Sequence, residues 1–328
     1  MISKRIFLSA MLAACCGLHP IGPASAETYP SRPITIVVPF SAGGPADTLA
    51  RIIGARMQVA LGQPVIIENV TGAGGTIGVG RVARAVPDGY TVSVGPMNSH
   101  VLTGAFYKLP FDLLEDLEPV ALLANNPSVV VSRKDVPAKD LKELIAWVQA
   151  NPDKVLVGTS GAGSATHLAG ILFENLTGTR VQFVPYRGTG PSMQALVAGQ
   201  IDLIFDQLSS SLPQLRAGTI RSYAVMAKTR AAAASDIPTV DEAGLPGFYL
   251  PVWYGMWAPK GTPKDIIARL NSAVVECLAD TTVRQQLADL SLEVYPREQQ
   301  TPEALGAYHK AEIEKWWPIV KAAGIKVE

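Results

Sequence analysis

The sequence predicts a two-lobed α/β fold in which each lobe is a mainly parallel sheet flanked by helices. Three observations lead to this fold class. Apolar runs rich in β-branched residues alternate with amphipathic stretches of helical spacing, which is typical of parallel sheets with helices on both faces. Two of the strand-to-helix loops are rich in glycine and share one plan. The length of 328 residues suits two lobes of ordinary domain size.

The first 26 residues have the pattern of an export signal. Lys4 and Arg5 precede an apolar stretch at residues 6–18, and a small-residue cleavage site follows at residues 24–26. The apolar stretch is shorter than the about 20 residues that a membrane span needs. We therefore expect a periplasmic protein whose mature chain starts at Glu27.

The same segment allows a second interpretation. Leu-Ala-Ala-Cys at residues 12–15 resembles a lipoprotein box, in which Cys15 carries the lipid anchor. Pro20 and Pro23 lead into the small-residue site, which favours cleavage after Ala26 over lipidation. A lipoprotein anchored to the membrane at Cys15 remains the alternative.

The composition argues against nucleic acid or anionic lipid as a partner. Hydrophobic residues make up 48% of the chain and charged residues 17%, a normal globular balance. Lys and Arg total 28, as do Asp and Glu, so there is no basic field to attract phosphate groups. Beyond the predicted signal only Cys277 remains, so the mature chain forms no internal disulfide. Its helical surroundings favour a small buried residue over a nucleophile.

The elements alternate between strand and helix through most of the chain. Strands are predicted at residues 34–39, 65–69, 91–95, 120–124, 129–132, 155–158, 181–185, 202–206 and 222–227. Helical patterns occupy residues 48–61, 141–150, 168–175 and 193–198. A further strand at 253–258 leads to helices at 263–278, 283–290 and 302–323.

A C-terminal helical block of this kind commonly packs back on the first lobe. We therefore expect a discontinuous first lobe at residues 27–127 and 252–328 and a continuous second lobe at 128–251, after a signal peptide at 1–26. The chain would cross between the lobes near residues 125–127 and 247–251, and these crossings would form the hinge.

Two glycine-rich loops open helices at the carboxyl ends of predicted strands. Strand ITIVVP leads into FSAGGPAD, and strand VLVG leads into TSGAGSATH. This position places backbone N–H groups and a positive helix end where open α/β sheets bind ligands. Gly43 and Gly44 permit positive φ, so successive N–H groups can form a nest for a carboxylate or phosphate. Asp47 would cap the helix and pair with Arg51 one turn later.

Each of these features has a plainer alternative. A single loop of this kind is also explained as a tight strand-to-helix turn with an ordinary cap, but the repetition of the plan favours one binding jaw per lobe. In VPYRG, Arg187 is placed to make a forked contact with a carboxylate beside the Tyr186 hydroxyl. The alternative for Arg187 is a solvated residue or a brace between the lobes. Asp206 ends the next strand and would accept from a ligand hydroxyl or a loop N–H.

The sequence lacks the common nucleotide, metal and catalytic motifs. GAGGTIG misses the dinucleotide spacing by one residue, and no phosphate-binding G-x-x-x-x-G-K-[ST] loop occurs. The four histidines include no pair at metal spacing. Ser160 and Ser164 lie near His167, but G-x-S-x-G is absent. No cofactor, metal or catalytic residue is therefore expected, and a secreted α/β hydrolase ranks below a binding protein.

Six motifs, in order from about Tyr29 to Val327, together resemble the Bug family, the substrate-binding proteins of tripartite tricarboxylate transporters. The resemblance implies the Venus flytrap fold of periplasmic binding proteins, closing without chemistry on a dicarboxylate, tricarboxylate, acidic amino acid or aromatic acid. The motifs are VPFSAGGPADTLAR, ENVTGAGGTIG with VPDGYTV, GTSGAGSATHLAG, VPYRGTGPSMQALVAGQID, IPTVDEAGLPG and WYGMWAPKGTP.

Carried over by motif, the resemblance implies a ligand site shared by both lobes. Two positions depart from the family pattern: Ala46 stands where the family has Thr or Ser, and Thr71 where it has Pro, which is expected to loosen a turn without touching ligand. The implied ligand-binding residues are Phe40, Ser41, Ala42, Gly43, Gly44, Asp47 and Asn98 in the first lobe, and Ser160, Gly161, Ala162, Gly163, Ser164, His167, Tyr186, Arg187, Gly188 and Asp206 in the second.

The expected function is a monomeric carboxylate receptor that delivers its ligand to the membrane subunits of a transporter. A receptor of the same fold that reports ligand to a sensor protein is the alternative. The identity of the carboxylate depends on where the distal half of the ligand lies, which the motifs do not specify.

Overall fold

The computed structural model describes residues 28–322, so the predicted signal, its cleavage site and Cys15 lie outside the described residues. The described chain forms two sheets flanked by helices, which confirms the predicted two-lobed α/β fold. In chain order the strands and helices are β1 (Ile34–Val38), α1 (Pro45–Leu61), β2 (Val65–Asn69), α2 (Thr76–Ala83), β3 (Thr91–Pro96), α3 (Thr103–Phe106), β4 (Leu117–Asn126), β5 (Ser128–Arg133), α4 (Leu141–Ala150), β6 (Leu156–Thr159), α5 (Ala165–Thr177), β7 (Gln182–Pro185), α6 (Thr189–Val197), β8 (Leu203–Gln207), α7 (Leu208–Arg216), β9 (Ile220–Val225), β10 (Val252–Pro259), α8 (Lys264–Ala279), α9 (Thr281–Asp289), β11 (Glu293–Val294) and α10 (Pro302–Ala322), with short turns at Ala73–Gly75, Asn98–Leu102, Ala232–Ala234 and Arg297–Gln299.

The two sheets have strand orders β11-β4-β10-β3-β1-β2 and β7-β6-β8-β5-β9. β1 pairs in parallel with β2 and β3, and β6 pairs in parallel with β7 and β8. β10 and β5 are antiparallel to both of their neighbours, so the sheets are more mixed than the sequence predicts. The reason is that β5 and β10 each start where the chain crosses between the sheets, whereas the strands beside them end there.

The crossings lie next to each other. Pro127 alone separates β4 of the first sheet from β5 of the second, and the chain returns to the first sheet at Val252. The Ser128 hydroxyl donates to the Leu250 carbonyl over 2.8 Å, which joins the outgoing and returning segments. Below, lobe 1 denotes residues 28–127 and 252–322, and lobe 2 denotes residues 128–251.

β5 is buried on both faces, as its continuous valine run indicates. Val130 packs in a core that extends from lobe 1 into lobe 2. Val129 and Val131 pack in a second core on the opposite face of the lobe 2 sheet, because successive strand residues point to opposite faces. The core that lobe 2 shares with lobe 1 therefore lies on one face of its sheet.

Some elements differ from those that the sequence predicts. α7 was not predicted, because serines at 209–211 and the internal Pro213 obscure its helical pattern. β11 has two residues, too few for a recognisable alternation. β9 starts two residues before the predicted strand, at Ile220. Cys277 is fully buried, as predicted, and burial raises the pKa of its thiol to about 12.

Candidate functional site

Loops from both lobes enclose two adjoining spaces at the carboxyl ends of β1, β3, β6, β7 and β8. The smaller one, the inner cavity, has about 10 Å³ in this conformation, room for about one water molecule. The larger one, the outer groove, has about 550 Å³, the size of a small-molecule site. Phe40 and Ser160 line both spaces and form the wall between them. The inner cavity is lined by Phe40, Gly44, Pro45, Ala46, Pro96, Asn98, Ser160, Thr189, Gln207 and Tyr254.

Three helices begin at the inner cavity. Gly44, Gly188 and Gln207 precede α1, α6 and α7, and none of them caps its helix with a side chain. The first-turn N–H groups of a helix have no intrahelical partner and carry partial positive charge. None of the described residues that line the cavity is charged. This arrangement is suited to an anion held by backbone N–H groups from both lobes.

Asn98 lines the inner cavity from lobe 1, in the turn that follows β3. Only 2% of its surface is exposed. Its Oδ1 is buried without a hydrogen-bond partner, and among residues 28–322 the amide donates no hydrogen bond either. Burying a polar group without a partner costs on the order of 1–3 kcal/mol. Asn98 is therefore an unsatisfied group at the wall of the cavity.

The floor of the inner cavity joins the two lobes through a buried polar network. The hydroxyl of Tyr254 in β10 donates to Gln207 Oε1 in β8. Asn126 Nδ2, at the end of β4, lies 3.3 Å from the same oxygen and donates to Ser209 Oγ over 2.7 Å. The network connects the cavity floor with the crossing at Pro127.

The loop before α1 is fixed by Asp47, which is almost completely buried. Its Oδ2 accepts from the Gly43 N–H over 3.0 Å, its Oδ1 accepts from Asn69 Nδ2 over 3.0 Å, and Arg51 pairs with both oxygens at 2.9 Å, as the sequence predicts. Burial acts to raise the pKa of the Asp47 carboxyl, but the hydrogen bonds from Arg51, Gly43 and Asn69 outweigh it and lower that pKa. Asp47 therefore positions the loop, and the Gly43 N–H is engaged by Asp47 rather than available to a ligand.

The loop before α5 repeats this construction with a different side chain. His167 occupies the place of Asp47, and its Nδ1 accepts from the Gly163 N–H over 3.1 Å. Gly43 and Gly163 have φ values of +80° and +73°, which favour glycine. Ser164 caps α5 and also bonds with the Thr166 hydroxyl, at 2.9 Å. The shared plan of the two sequences is thus a shared geometry: a loop glycine donates to the side chain four residues later.

The two lobes touch across the cleft. The Ser41 N–H donates to the Arg187 carbonyl over 3.3 Å, and the Tyr107 hydroxyl donates to the Ala162 carbonyl over 2.7 Å. A Cβ on Gly188 would lie 2.6 Å from Ser41 Oγ and 3.1 Å from Ser41 N. The structure therefore shows a closed cleft.

Glycine, aliphatic and aromatic residues form most of the wall of the outer groove, and a cation lies at its edge. Arg187 is exposed and forms no ion pair with any residue between 28 and 322, while its backbone bridges the lobes. The groove is lined by Phe40, Thr71, Gly72, Ala73, Gly74, Gly75, Ile77, Tyr107, Ser160, Gly161, Ala162, Pro185, Tyr186 and Arg187.

The predicted site residues fall into three groups. Phe40, Gly44, Asn98 and Ser160 line the inner cavity. Phe40, Ser160, Gly161, Ala162, Tyr186 and Arg187 line the outer groove. The rest belong to the supporting loops and line neither space: Ser41, Ala42, Gly43, Asp47, Gly163, Ser164, His167, Gly188 and Asp206.

Asp206 lies one residue away from the position that faces the cavity. Gln207 lines the cavity instead, and adjacent residues of a strand point to opposite faces. Asp206 is fully buried, and its Oδ2 accepts from the hydroxyls of Ser210 and Ser211 at the start of α7. Burial raises the pKa of this carboxyl to about 6, against the hydrogen bonds from the two serines.

Several lining residues lie outside the set that the sequence identifies. Gln207 and Thr189 directly follow predicted residues, so extending each motif by one residue would have found them. Tyr254 lies on a strand that carries no glycine loop and gives no such signal. Thr71, expected to stay away from ligand, lines the outer groove together with the Gly72–Gly75 segment.

The serines and the histidine of the second loop do not form a catalytic pair. Ser160 Oγ lies 3.1 Å from Thr166 Oγ1, and His167 Nδ1 accepts from backbone. Among residues 28–322 no carboxylate bonds to His167, and no three His, Cys, Asp or Glu side chains are placed to share a metal ion. Within the same residues no helix has the length and apolar character needed to cross a membrane.

Comparison with known proteins places these features in a family. Residues 49–325 match the model of the tripartite tricarboxylate transporter family receptor. Protein BugT of Bordetella pertussis is 33% identical over 308 residues, covering 93% of this chain and 94% of BugT. The solved periplasmic binding protein BugD is 38% identical with a TM-score of 0.88, covering 92% of this chain and all of BugD. MatC from Rhodopseudomonas palustris, solved with bound malate, is 43% identical with a TM-score of 0.86, covering 89% of this chain and all of MatC.

Proposed function

The chain belongs to the tripartite tricarboxylate transporter receptor family, whose members are periplasmic solute-binding proteins, and we propose that it captures a small carboxylate between its lobes for delivery to the membrane subunits of such a transporter. The observation that carries the proposal is the convergence of α1, α6 and α7 on an uncharged cavity. A carboxylate is the anion that this family and the malate complex of MatC both suggest.

Closure follows from the origin of the three helices. α1 belongs to lobe 1, whereas α6 and α7 belong to lobe 2. A carboxylate that accepts from the N–H groups of all three bridges the lobes and stabilises the closed cleft relative to an open one. In this structure the inner cavity has room for about one water molecule, so a bound carboxylate would hold the lobes farther apart than they lie here, with opening about the crossings at Pro127 and residues 247–251.

The outer groove would take the distal part of the ligand. It adjoins the inner cavity at Phe40 and Ser160, and Arg187 gives it a positive edge. A second carboxylate at this edge would pair with the Arg187 guanidinium in partial contact with water, which makes Arg187 a secondary contact.

One departure from the family falls directly on the site. Ala46 lines the inner cavity in the first turn of α1, so the hydroxyl that the family commonly has there is missing from the cavity wall. The N–H of Ala46 is unaffected by this difference. The grip in lobe 1 therefore depends on backbone rather than on a side-chain hydroxyl.

The proposal is tested by calorimetry with succinate, malate, adipate, citrate, aspartate and benzoate, each beside its amide. We expect at least one acid to bind in the micromolar range or tighter and its amide to bind at least about a hundredfold more weakly. Ala46→Asp should abolish binding because it places a carboxylate at the cavity, whereas Ala46→Ser, which restores the hydroxyl that the family commonly has there, should retain it. Binding of no acid, or equal binding of acid and amide, would overturn the proposal.

A further inference from the structure

The inner cavity holds one polar side chain that the closed structure leaves unsatisfied. Asn98 is 2% exposed, and its side-chain amide neither accepts nor donates a hydrogen bond within residues 28–322. A buried amide in this state is costly, so a missing partner is the simplest explanation for its place at the wall of a binding cavity.

Two of the neighbouring polar groups are already engaged: Gln207 Oε1 accepts from Tyr254, and Ser160 bonds with Thr166. Among residues 28–322 no lining side chain, Thr189 included, bonds to the Asn98 amide. We therefore expect the partner of Asn98 to come with the ligand. This argument rests on the proposed function, because it assumes that the ligand enters this cavity.

The chemistry of an amide limits which chemical groups can satisfy both of its polar ends. Nδ2 donates and Oδ1 accepts, so a group that satisfies both ends must accept and donate at once. A carboxylate only accepts hydrogen bonds, so it could bond to Nδ2 but would place a negatively charged oxygen against Oδ1. A hydroxyl does both.

An ammonium group also donates to an amide oxygen, but the surroundings disfavour it. The N-termini of α1, α6 and α7 give the cavity partial positive charge, and none of the described residues that line it is a carboxylate. We propose that the ligand is a carboxylic acid with a hydroxyl beside its carboxylate, and that Asn98 selects this hydroxyl.

The test uses pairs of acids that differ only in that hydroxyl: succinate and malate, adipate and 2-hydroxyadipate, phenylacetate and mandelate, with aspartate and phenylglycine as the amino counterparts. In calorimetry, the hydroxy member of the pair that binds should be favoured at least about tenfold over both other members. Asn98→Leu, which keeps the volume and removes both polar ends, should reduce that ratio to about one.

Two controls separate recognition from folding. Ser291→Ala removes another buried polar group without a hydrogen-bond partner, and Ser291 lies outside both spaces, so the selectivity should stay as in the parent. Asn98→Leu should unfold at the same or a higher denaturant concentration than the parent, because it removes an unsatisfied polar group.

The outcomes distinguish this inference from the function on which it rests. If none of these acids binds, and neither citrate nor benzoate binds, the proposed function fails. If acids bind but the deoxy or amino member binds as tightly as the hydroxy member, or if Asn98→Leu keeps the selectivity, the hydroxyl inference fails and the carboxylate receptor stands.

Discussion

At the residue scale, two buried aspartates near the cleft have pKa values shifted in opposite directions. Hydrogen bonds from Arg51, Gly43 and Asn69 stabilise the ionised form of Asp47. Asp206 has only the hydroxyls of two serines on one oxygen, and its other oxygen has no partner. Burial therefore dominates at Asp206 and raises the pKa of its carboxyl to about 6. The first carboxylate stabilises its loop, and the second destabilises the fold at neutral pH.

Replacing Asp206 by asparagine should stabilise the protein. A pKa raised from 3.8 to about 6 means that the unfolded chain ionises this group more easily, which lowers stability above about pH 6 and less so below it. Asp206→Asn should therefore raise the free energy of unfolding by on the order of 2 kcal/mol at pH 8 and by less at pH 5. Urea denaturation at both pH values measures this.

Asp202→Asn is the matched control, because Asp202 directly precedes β8, the strand that contains Asp206. Asp202 accepts from Arg133 Nε over 2.9 Å and from the Leu156 N–H over 2.8 Å, so its loss should destabilise the protein at pH 8. If Asp206→Asn lowers the free energy of unfolding at pH 8, the raised pKa of the Asp206 carboxyl is contradicted.

At the element scale, the loops before α1 and α5 show how far motif reasoning reaches. The repeated glycine plan correctly indicates two loops at strand ends, because positive φ and a helix start leave clear marks in sequence. It does not reveal which N–H groups the loops use internally, since the acceptors at Asp47 and His167 are side chains whose direction depends on the fold. The sequence names Asp206, whereas Gln207 is the residue that lines the inner cavity, because a strand end shifted by one residue reverses the face.

Gly188, which precedes α6, is expected to permit closure because it has no Cβ. Its φ is +133°, and a Cβ would meet Ser41 of the other lobe. Gly188→Ala should weaken ligand binding at least about tenfold and keep the cleft more open in small-angle scattering with ligand present. Gly199→Ala is the control, since Gly199 has φ +71° but open space around its Cβ. If Gly188→Ala and Gly199→Ala bind ligand equally well, Gly188 is not part of the contact that closes the cleft.

At the scale of the whole molecule, lobe 1 is expected to be the acid-sensitive half. His100 stacks on Trp257 at 3.8 Å, and the His309 Nε2 bonds to the His100 carbonyl. Burial lowers the pKa of His100 to about 3, aided by His309, and burial lowers that of His309 to about 4. Both rings are therefore neutral in the folded protein at pH values where the unfolded chain binds protons.

Stability should therefore fall as the pH drops from 6.5, the ordinary histidine value, toward 4. By pH 5 the two histidines together would cost about 4 kcal/mol, and protonation of Asp206 would offset about 1 kcal/mol of that. A net loss of about 3 kcal/mol between pH 7 and pH 5, measured by urea denaturation, is the expected result. The loss should be larger in Asp206→Asn. A free energy of unfolding that stays level across this range would show that the histidines are more accessible than the structure indicates.

The whole architecture was more predictable than its internal connections. Alternation of apolar strands and helices identified both lobes, since burial imposes a period on sequence. The antiparallel insertion of β5 and β10, and the contact of Tyr254 with Gln207 across the lobes, depend on pairing between distant segments. No local pattern records such pairing.

The entry and exit points of lobe 2 touch, since Ser128 bonds to Leu250. A stretch of chain whose two ends meet is a cassette: it joins its host at one place in space although at two places in sequence. Recombination between relatives that exchanges this stretch would change both covalent connections at one place, while the exchanged stretch would still have to match the shared core and the cleft contacts. Thr189 and Gln207 would travel with the cassette, while Gly44 and Asn98 would remain with the host. Half of the proposed ligand site would then be exchanged in one step, so ligand preference could change by exchanging lobe 2 rather than by changing residues one at a time.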